Sequence, residues 1–252
     1  MPDLAERHAR RLRWVALVHH PLAMETGLAP GDAAALEVSE RRSLAAARRV
    51  VVTSEATARL LPPRWGVTAQ RIDVIEPGCE YGGENESAEQ RADEGQEQRE
   101  EQREEQREEQ SEEQREEQRD ASPGAPPRLL CVASVIARKG HAVLIEALAG
   151  LRERPWALHC VGSLAMDPGT AAAARAAVQG HGLAGRVHWH GVVQSERLRE
   201  HYAAADLFVL PSLFEGYGMV LAEALAHGLP VVATDTGNAA RLLPLGAGGA
   251  GG

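Results

Sequence analysis

The stretch Pro211–Gly237, PSLFEGYGMVLAEALAHGLPVVATDTG, gathers the residues of this chain best suited to chemistry. Glu215 and Glu223 stand either side of Gly216, Tyr217 and Gly218 and an apolar run that begins at Met219. Glycines there let the backbone approach a ligand closely, and the unpaired N–H groups of a following helix start suit a phosphate or other anion. Glu223 shares its run with one other polar residue, His227. A helix apolar on every side is normally buried, and a buried carboxylate is costly unless it is paired or engaged. The other reading is that Glu223 reaches solvent at a sheet edge.

Three further groups are of the right type. Arg138 and Lys139 follow an apolar run and could face the same anion, although an isolated Arg-Lys pair reads more often as a solvated helix start. His19 closes the run Trp14–Val18, either as a ring in a site or as a capped structural residue. Its neighbour His20 points elsewhere if the chain there is extended. His188 and His190 share one face of a short strand, which suggests a metal. No third ligand stands near them in sequence, so none is expected. No Ser/His/Asp or Cys/His set is present that would make a nucleophile.

These residues need a scaffold. From 126 onward, short β-like runs alternate with helical stretches: strands at Arg128–Ser134, Trp156–Val161, Arg186–His190, Asp206–Leu210 and Pro230–Ala233, with helices at Lys139–Leu151, Pro168–His181, Ser195–Ala204 and about Met219–Ala226. Such alternation predicts a parallel, doubly wound sheet, with ligands outside the carboxyl ends of its strands. Residues 1–83 have the same style with fewer strands (Trp14–Val18, Arg49–Thr53, Asp73–Ile75) and helices at about 31–47 and 54–61. They read as the second half of another α/β domain.

Between these regions lies a repeat. The 252 residues carry 27 Lys+Arg and 36 Asp+Glu, a net charge of −9. Residues 84–120 alone hold 17 acids and 6 Arg, so the rest, with 21 bases against 19 acids, is near neutral. From Glu97 to Asp120 the pattern EQRE recurs with period four and has no apolar face. It is expected to be a solvated rod or a disordered linker within 84–125, not a core element or a coiled coil. The near-neutral remainder gives no reason to expect nucleic acid as partner. Cys79, Cys131 and Cys160 form no C-x-x-C pair, Trp14–Val18 is too short for a signal-peptide core, and no run nears a membrane span. A reduced, cytoplasmic protein is expected.

The Glu215-x7-Glu223 stretch resembles the signature of retaining GT-B glycosyltransferases, in particular the large family four of sugar-nucleotide-dependent enzymes (glycosyl transferases group 1). LLCVASVIARKGHAVLIEAL (Leu129–Leu148) and DLFVLPS resemble its C-terminal domain. VHHPLAMETGL, RRVVVTSEATARLL and VIEPGCE resemble the second half of its N-terminal domain and the passage between domains. The resemblance implies two Rossmann-like domains, 1–83 incomplete and 126–252 binding the donor. It also implies transfer of a sugar from a nucleotide diphosphate with retained anomeric configuration, and neither cofactor nor bound metal. By resemblance Glu223 takes the ribose hydroxyls, Glu215 the transferred sugar, and the N–H groups of Gly216, Tyr217 and Gly218 with Lys139 the diphosphate. His19 would line the cleft near the donor sugar. Many members carry an Arg where this chain has Ser134, so either Arg138 compensates or phosphate binding is weaker. The acceptor is left open among glycan, lipid and small molecule, with peripheral membrane contact if it is a lipid. Set against the family, the chain reads as shortened at both ends. The rival readings are an inactive nucleotide-sugar-binding remnant and an interaction protein acting through the charged rod.

Overall fold

The computed structural model describes residues 2–9, 11–25, 27–78 and 125–243. The Glu/Gln/Arg repeat and Cys79 lie outside them. The described residues build two parallel α/β units, in agreement with the alternating pattern.

The first unit is a three-stranded parallel sheet of β1 (Val15–Val18), β2 (Arg49–Val52) and β3 (Ile72–Val74) in that order. Helix α1 (Pro2–His8) precedes β1, α2 (Pro30–Ala46) connects β1 to β2, and α3 (Glu55–Trp65) connects β2 to β3. Val50, Val52, Leu61, Trp65 and Val67 form the centre of its core. Helix α1 has no counterpart in the sequence expectation. It is held by ion pairs from Arg42 to Glu6 and Asp3, both 2.7 Å.

Helix α3 starts where Ser54 accepts from the Thr57 N–H at 3.1 Å, which satisfies a donor the helix cannot. It was expected to stop at 61, before Pro62 and Pro63, yet it runs on to Trp65. Both prolines fall in the last turn, and Trp65 is buried with its indole N–H donating to Glu40 at 3.2 Å. Burial of an indole outweighs the donors the prolines lack. Gly66, at φ 69°, then ends the helix in the left-handed region.

The second unit is a five-stranded parallel sheet in the order β6-β5-β4-β7-β8. Its strands are β4 (Arg128–Val132), β5 (Ala157–Val161), β6 (Val187–Gly191), β7 (Leu207–Leu210) and β8 (Val231–Ala233). The connecting helices are α4 (His141–Ala149), α5 (Pro168–Gly180), α6 (Ser195–Ala203) and α7 (Met219–Ala226), and α8 (Ala239–Leu242) follows β8. Chain order reverses between β4 and β7, which opens a crevice at their carboxyl ends. Leu130, Leu158, Phe208 and Leu210 are almost fully buried between the helix layers. Truncating a buried Phe of this kind costs about 3–5 kcal/mol.

Cys131 and Cys160 are register partners on β4 and β5, both buried and free. Burial pushes the Cys131 thiol up to about 12, so it behaves as an apolar packing group. Among the described residues no helix is long and apolar enough to cross a membrane.

Candidate functional site

The loops after β4 and β7 pack against each other at the switch point. The expected single helix Lys139–Leu151 is in fact a 3-10 turn, Ala137–Lys139, then Gly140 at φ 68°, then α4. The break has a steric cause. A Cβ on Gly140 would stand 2.0 Å from the Pro211 carbonyl oxygen, so only glycine lets the two loops meet. The Leu213 N–H also donates to the Arg138 carbonyl at 2.8 Å.

This contact delivers Lys139 to Glu215. The Lys139 ammonium donates to the Glu215 carboxylate at 2.6 Å, and their side chains are only 16% and 8% exposed. The backbone of Glu215 is pinned as well. Its carbonyl accepts from Asn238 N–H at 3.2 Å, and a Cβ on Gly237 would fall 1.7 Å from that oxygen. A carboxylate so deep in the fold needs its cation. Among the described residues the ammonium donates only to Glu215, so donors remain for a second acceptor.

Beyond Glu215 the chain passes Gly216 and Tyr217 to Gly218, which at φ 90° caps α7 without a side-chain bond. The Leu221 and Ala222 N–H groups donate to the Gly218 carbonyl at 2.8 and 3.2 Å, so the Met219 and Val220 N–H groups are the ones that the start of α7 leaves without a partner within the helix. Glu223 lies one turn further along, half-buried. One carboxylate oxygen accepts from the Tyr202 hydroxyl at 2.8 Å, and Tyr202 stacks on His227 with centroids 4.8 Å apart. Glu223 is thus engaged, and its other oxygen accepts no hydrogen bond among the described residues.

The N-terminal unit closes one side. The His19 carbonyl oxygen rests on Gly216, where a Cβ would approach it to 2.6 Å. The His19 side chain is exposed. His20 is the more enclosed ring, contrary to the expectation that it turns away, because β1 has already ended at Val18 and strand alternation no longer applies. It packs 5.3 Å from the Phe214 ring and sits 3.7 Å from Glu25. Burial, then the charge of Arg138, holds its pKa below the ordinary value, so the ring is neutral near pH 7. Arg138 reaches across the two units: Nε donates to Glu25 at 3.2 Å and a terminal nitrogen to the Phe214 carbonyl at 3.0 Å. Ser134 is half-buried, two residues past the end of β4. Arg241 and Glu76 make a second link between the units at 3.0 Å.

The structure therefore brings Lys139, Glu215, Gly216, Gly218 and the start of α7 together, with Tyr217 in the same loop. It places Arg138 as a bridge, and leaves the His19 ring at the rim. Sequence reasoning passed over Glu25, Tyr202 and Asn238. Each acts on a partner far away in the chain, so no local pattern marks it.

The imidazoles converge elsewhere. His188 is not the partner of His190 in that gathering. Instead His190 on β6 meets His159 on β5, with Nδ1 of His159 and Nε2 of His190 2.9 Å apart, and His201 on α6 joins them.

Comparison with known proteins follows this geometry. Residues 126–250 match the sequence profile of the family Glycosyl transferases group 1. A D-inositol 3-phosphate glycosyltransferase of Nocardia farcinica is 31% identical over 247 residues, covering 90% of this chain and 48% of that protein. A mannosylfructose-phosphate synthase of Agrobacterium fabrum is 37% identical over 124 residues, 47% of this chain and 27% of that one. The chain thus spans about half the length, or less, of these curated relatives. Among solved structures, Anabaena Alr3699/HepE in complex with UDP and glucose superposes with a TM-score of 0.68 at 20% identity, covering 96% of this chain and 60% of that one. The likeness shows the fold.

Proposed function

Because this chain, through residues 126–250, belongs to the group 1 glycosyl transferases, we propose that its crevice binds a nucleotide-diphosphate sugar and that the protein transfers the sugar to an acceptor. The observation that carries this reading is the buried Lys139–Glu215 pair beside the glycine-capped start of α7, at the carboxyl ends of β4 and β7. A diphosphate is the ligand such a place suits. Lys139 supplies a point charge, and the first-turn N–H groups of α7 supply oriented donors.

Each expected residue then has a task. Lys139, Ser134 and the loop Gly216–Gly218 hold the diphosphate. Glu223, steadied by Tyr202, accepts from vicinal ribose hydroxyls. Glu215, with its ammonium partner, accepts from hydroxyls of the transferred sugar. His19 faces the sugar from the rim, and Arg138 contributes charge while bridging the units. In the transition state charge develops on the departing diphosphate, and donors already in place there stabilise it without reorganising.

Retention of configuration follows if the departing diphosphate takes the acceptor proton on the face it leaves. No protein nucleophile is then required, and Glu215 and Glu223 are not a glycosidase pair. The reading needs no cofactor and no metal at this crevice. It leaves the acceptor as a glycan, lipid or small molecule, with peripheral membrane contact if lipid, and places the protein in the cytoplasm.

The test is calorimetric titration of the chain with UDP, GDP and their hexose conjugates, followed by assays of donor hydrolysis and transfer. UDP and UDP-glucose are the first compounds to try, given the neighbour crystallised with UDP and glucose. Binding together with turnover is the expected result. Binding without turnover supports a donor-binding protein that transfers nothing. Failure of every nucleotide to bind refutes the proposed site.

A further inference from the structure

The imidazoles on the opposite flank of the sheet have no part in that chemistry. His159 lies mid-strand on β5, His190 near the end of β6, and His201 in the last turn of α6. One nitrogen from each lies within 4.8 Å of the other two. His159 and His190 are stacked, with centroids 5.1 Å apart and planes at 10°, and His190 and His201 are 4.4 Å apart. Three rings on three separate elements thus bring one nitrogen each into a single cluster, while His188, the register partner of His159, stacks on His159 with centroids 4.8 Å apart and supplies no nitrogen to the cluster.

We propose that His159, His190 and His201 form a binding site for a divalent transition ion of the imidazole-preferring class, zinc foremost. Imidazole nitrogen suits zinc, copper and nickel over magnesium or calcium. A tetrahedral zinc ion with nitrogens at about 2.0–2.1 Å needs ligand atoms about 3.4 Å apart. The 2.9 Å pair has only to open slightly, and the wider separations, up to 4.8 Å, to close by rotation of exposed His190 and half-buried His201. The rings are also in the form that coordinates. Burial and neighbouring positive charge hold all three below the ordinary imidazole value, His159 at about 4, so they are unprotonated near neutrality.

The surroundings set the strength and the remaining ligand. Arg128, Arg197 and Glu200 line a hollow of about 280 Å³ together with His190 and His201. The Arg197 charge is met by Glu200 at 2.9 Å. The positive charge that remains weakens cation binding and favours an anion as fourth ligand. The site ties β5, edge strand β6 and α6 together, so an ion there would brace the free edge of the sheet. Its role is structural, with no group transfer involved.

The experiment uses the whole chain, freed of metal with chelator, and titrates it with zinc chloride alone in a phosphate-free buffer. Cobalt chloride serves as a spectroscopic probe. We expect saturable binding of one ion per chain and tetrahedral cobalt absorption. Zinc should also raise the melting temperature. His190→Asn and His201→Asn sit at exposed or half-exposed positions and should each weaken zinc binding by about tenfold or more. Their melting temperatures in chelator should match the wild type, which separates lost ligation from lost folding. His181→Asn, a surface ring paired with Glu146, should bind zinc unchanged. Absence of zinc binding at millimolar concentration overturns the proposal. So does binding that neither of the two variants alters, or inorganic phosphate binding in zinc-free solution that both variants abolish.

Discussion

Replacing Lys139 with methionine separates the structural use of the Lys139–Glu215 pair from its use in ligand binding. The charges meet at 2.6 Å with side chains 16% and 8% exposed. At an effective dielectric of about 20 the attraction is about 6 kcal/mol, and the desolvation of both ions offsets most of it. Removing one partner leaves the other charge buried and alone, at a cost of about 3–5 kcal/mol. Lys139→Met should therefore lower the urea-unfolding free energy by that amount. Lys139→Met combined with Glu215→Gln should recover most of it, because no bare charge remains. The two single variants should act oppositely on nucleotide binding. Lys139→Met loses a charged hydrogen bond to diphosphate worth about 1.5–3 kcal/mol, or about 10–150-fold in affinity. Glu215→Gln frees the ammonium, so UDP or GDP should bind equally well or more tightly, while the preference for the sugar-bearing form over the bare diphosphate shrinks. Calorimetry on the four proteins reads both effects. If Lys139→Met binds diphosphate as the wild type does, or if both single variants weaken it alike, the assignment of Lys139 to the diphosphate is wrong.

Gly216→Ala drives a methyl group against the His19 carbonyl at 2.6 Å; it should cost about 1–3 kcal/mol in urea unfolding and reduce donor turnover by moving the N-terminal unit off the loop. Tyr202→Phe removes the donor to Glu223; it should cost about 0.5–1.5 kcal/mol and weaken nucleoside diphosphate binding while leaving pyrophosphate binding alone, as competition titrations would show. His141 is held at about 4, below its ordinary 6.5, by burial and then by the Lys139 charge. The unfolded chain therefore takes the proton first, and up to about 3 kcal/mol of stability, full above pH 6.5, drains away as pH falls toward 4. Thermal melts across that window should show it, and His141→Gln should flatten the slope.

Much of the scaffold was legible because its cues are local. Apolar runs fixed the strands to within a residue or two, and the helix Met219–Ala226 agrees to the residue. Ser54 and Gly66 end α3 by short-range bonding. The Glu215–Gly218 loop stood out because glycines and carboxylates cluster there in sequence. What stayed hidden depends on register and on long separations. Lys139 finds Glu215 only because chain order reverses between β4 and β7. Glu223 finds Tyr202 across the α6–β7–α7 path. His159 joins His190 because β5 and β6 lie side by side, and His201 comes from α6, so the gathering exchanges His188 for two rings on other elements. The break at Gly140 was missed because its cause, the Pro211 carbonyl, belongs to a different loop.

The crevice is framed by three glycines whose missing side chains admit carbonyl oxygens: Gly140 beneath Pro211, Gly216 beneath His19 and Gly237 beneath Glu215. Backbone contact therefore sets the shape of the cradle, and the side chains in it are free of that duty. Two kinds of inheritance result. Substitution at the glycines should be purged whatever the substrate, whereas exposed Leu213 and half-exposed Tyr217, whose part in the cradle is a backbone N–H, can drift. A lineage can then exchange one ligand for another without rebuilding the frame, and saturation mutagenesis should reveal it as silent positions set between intolerant glycines.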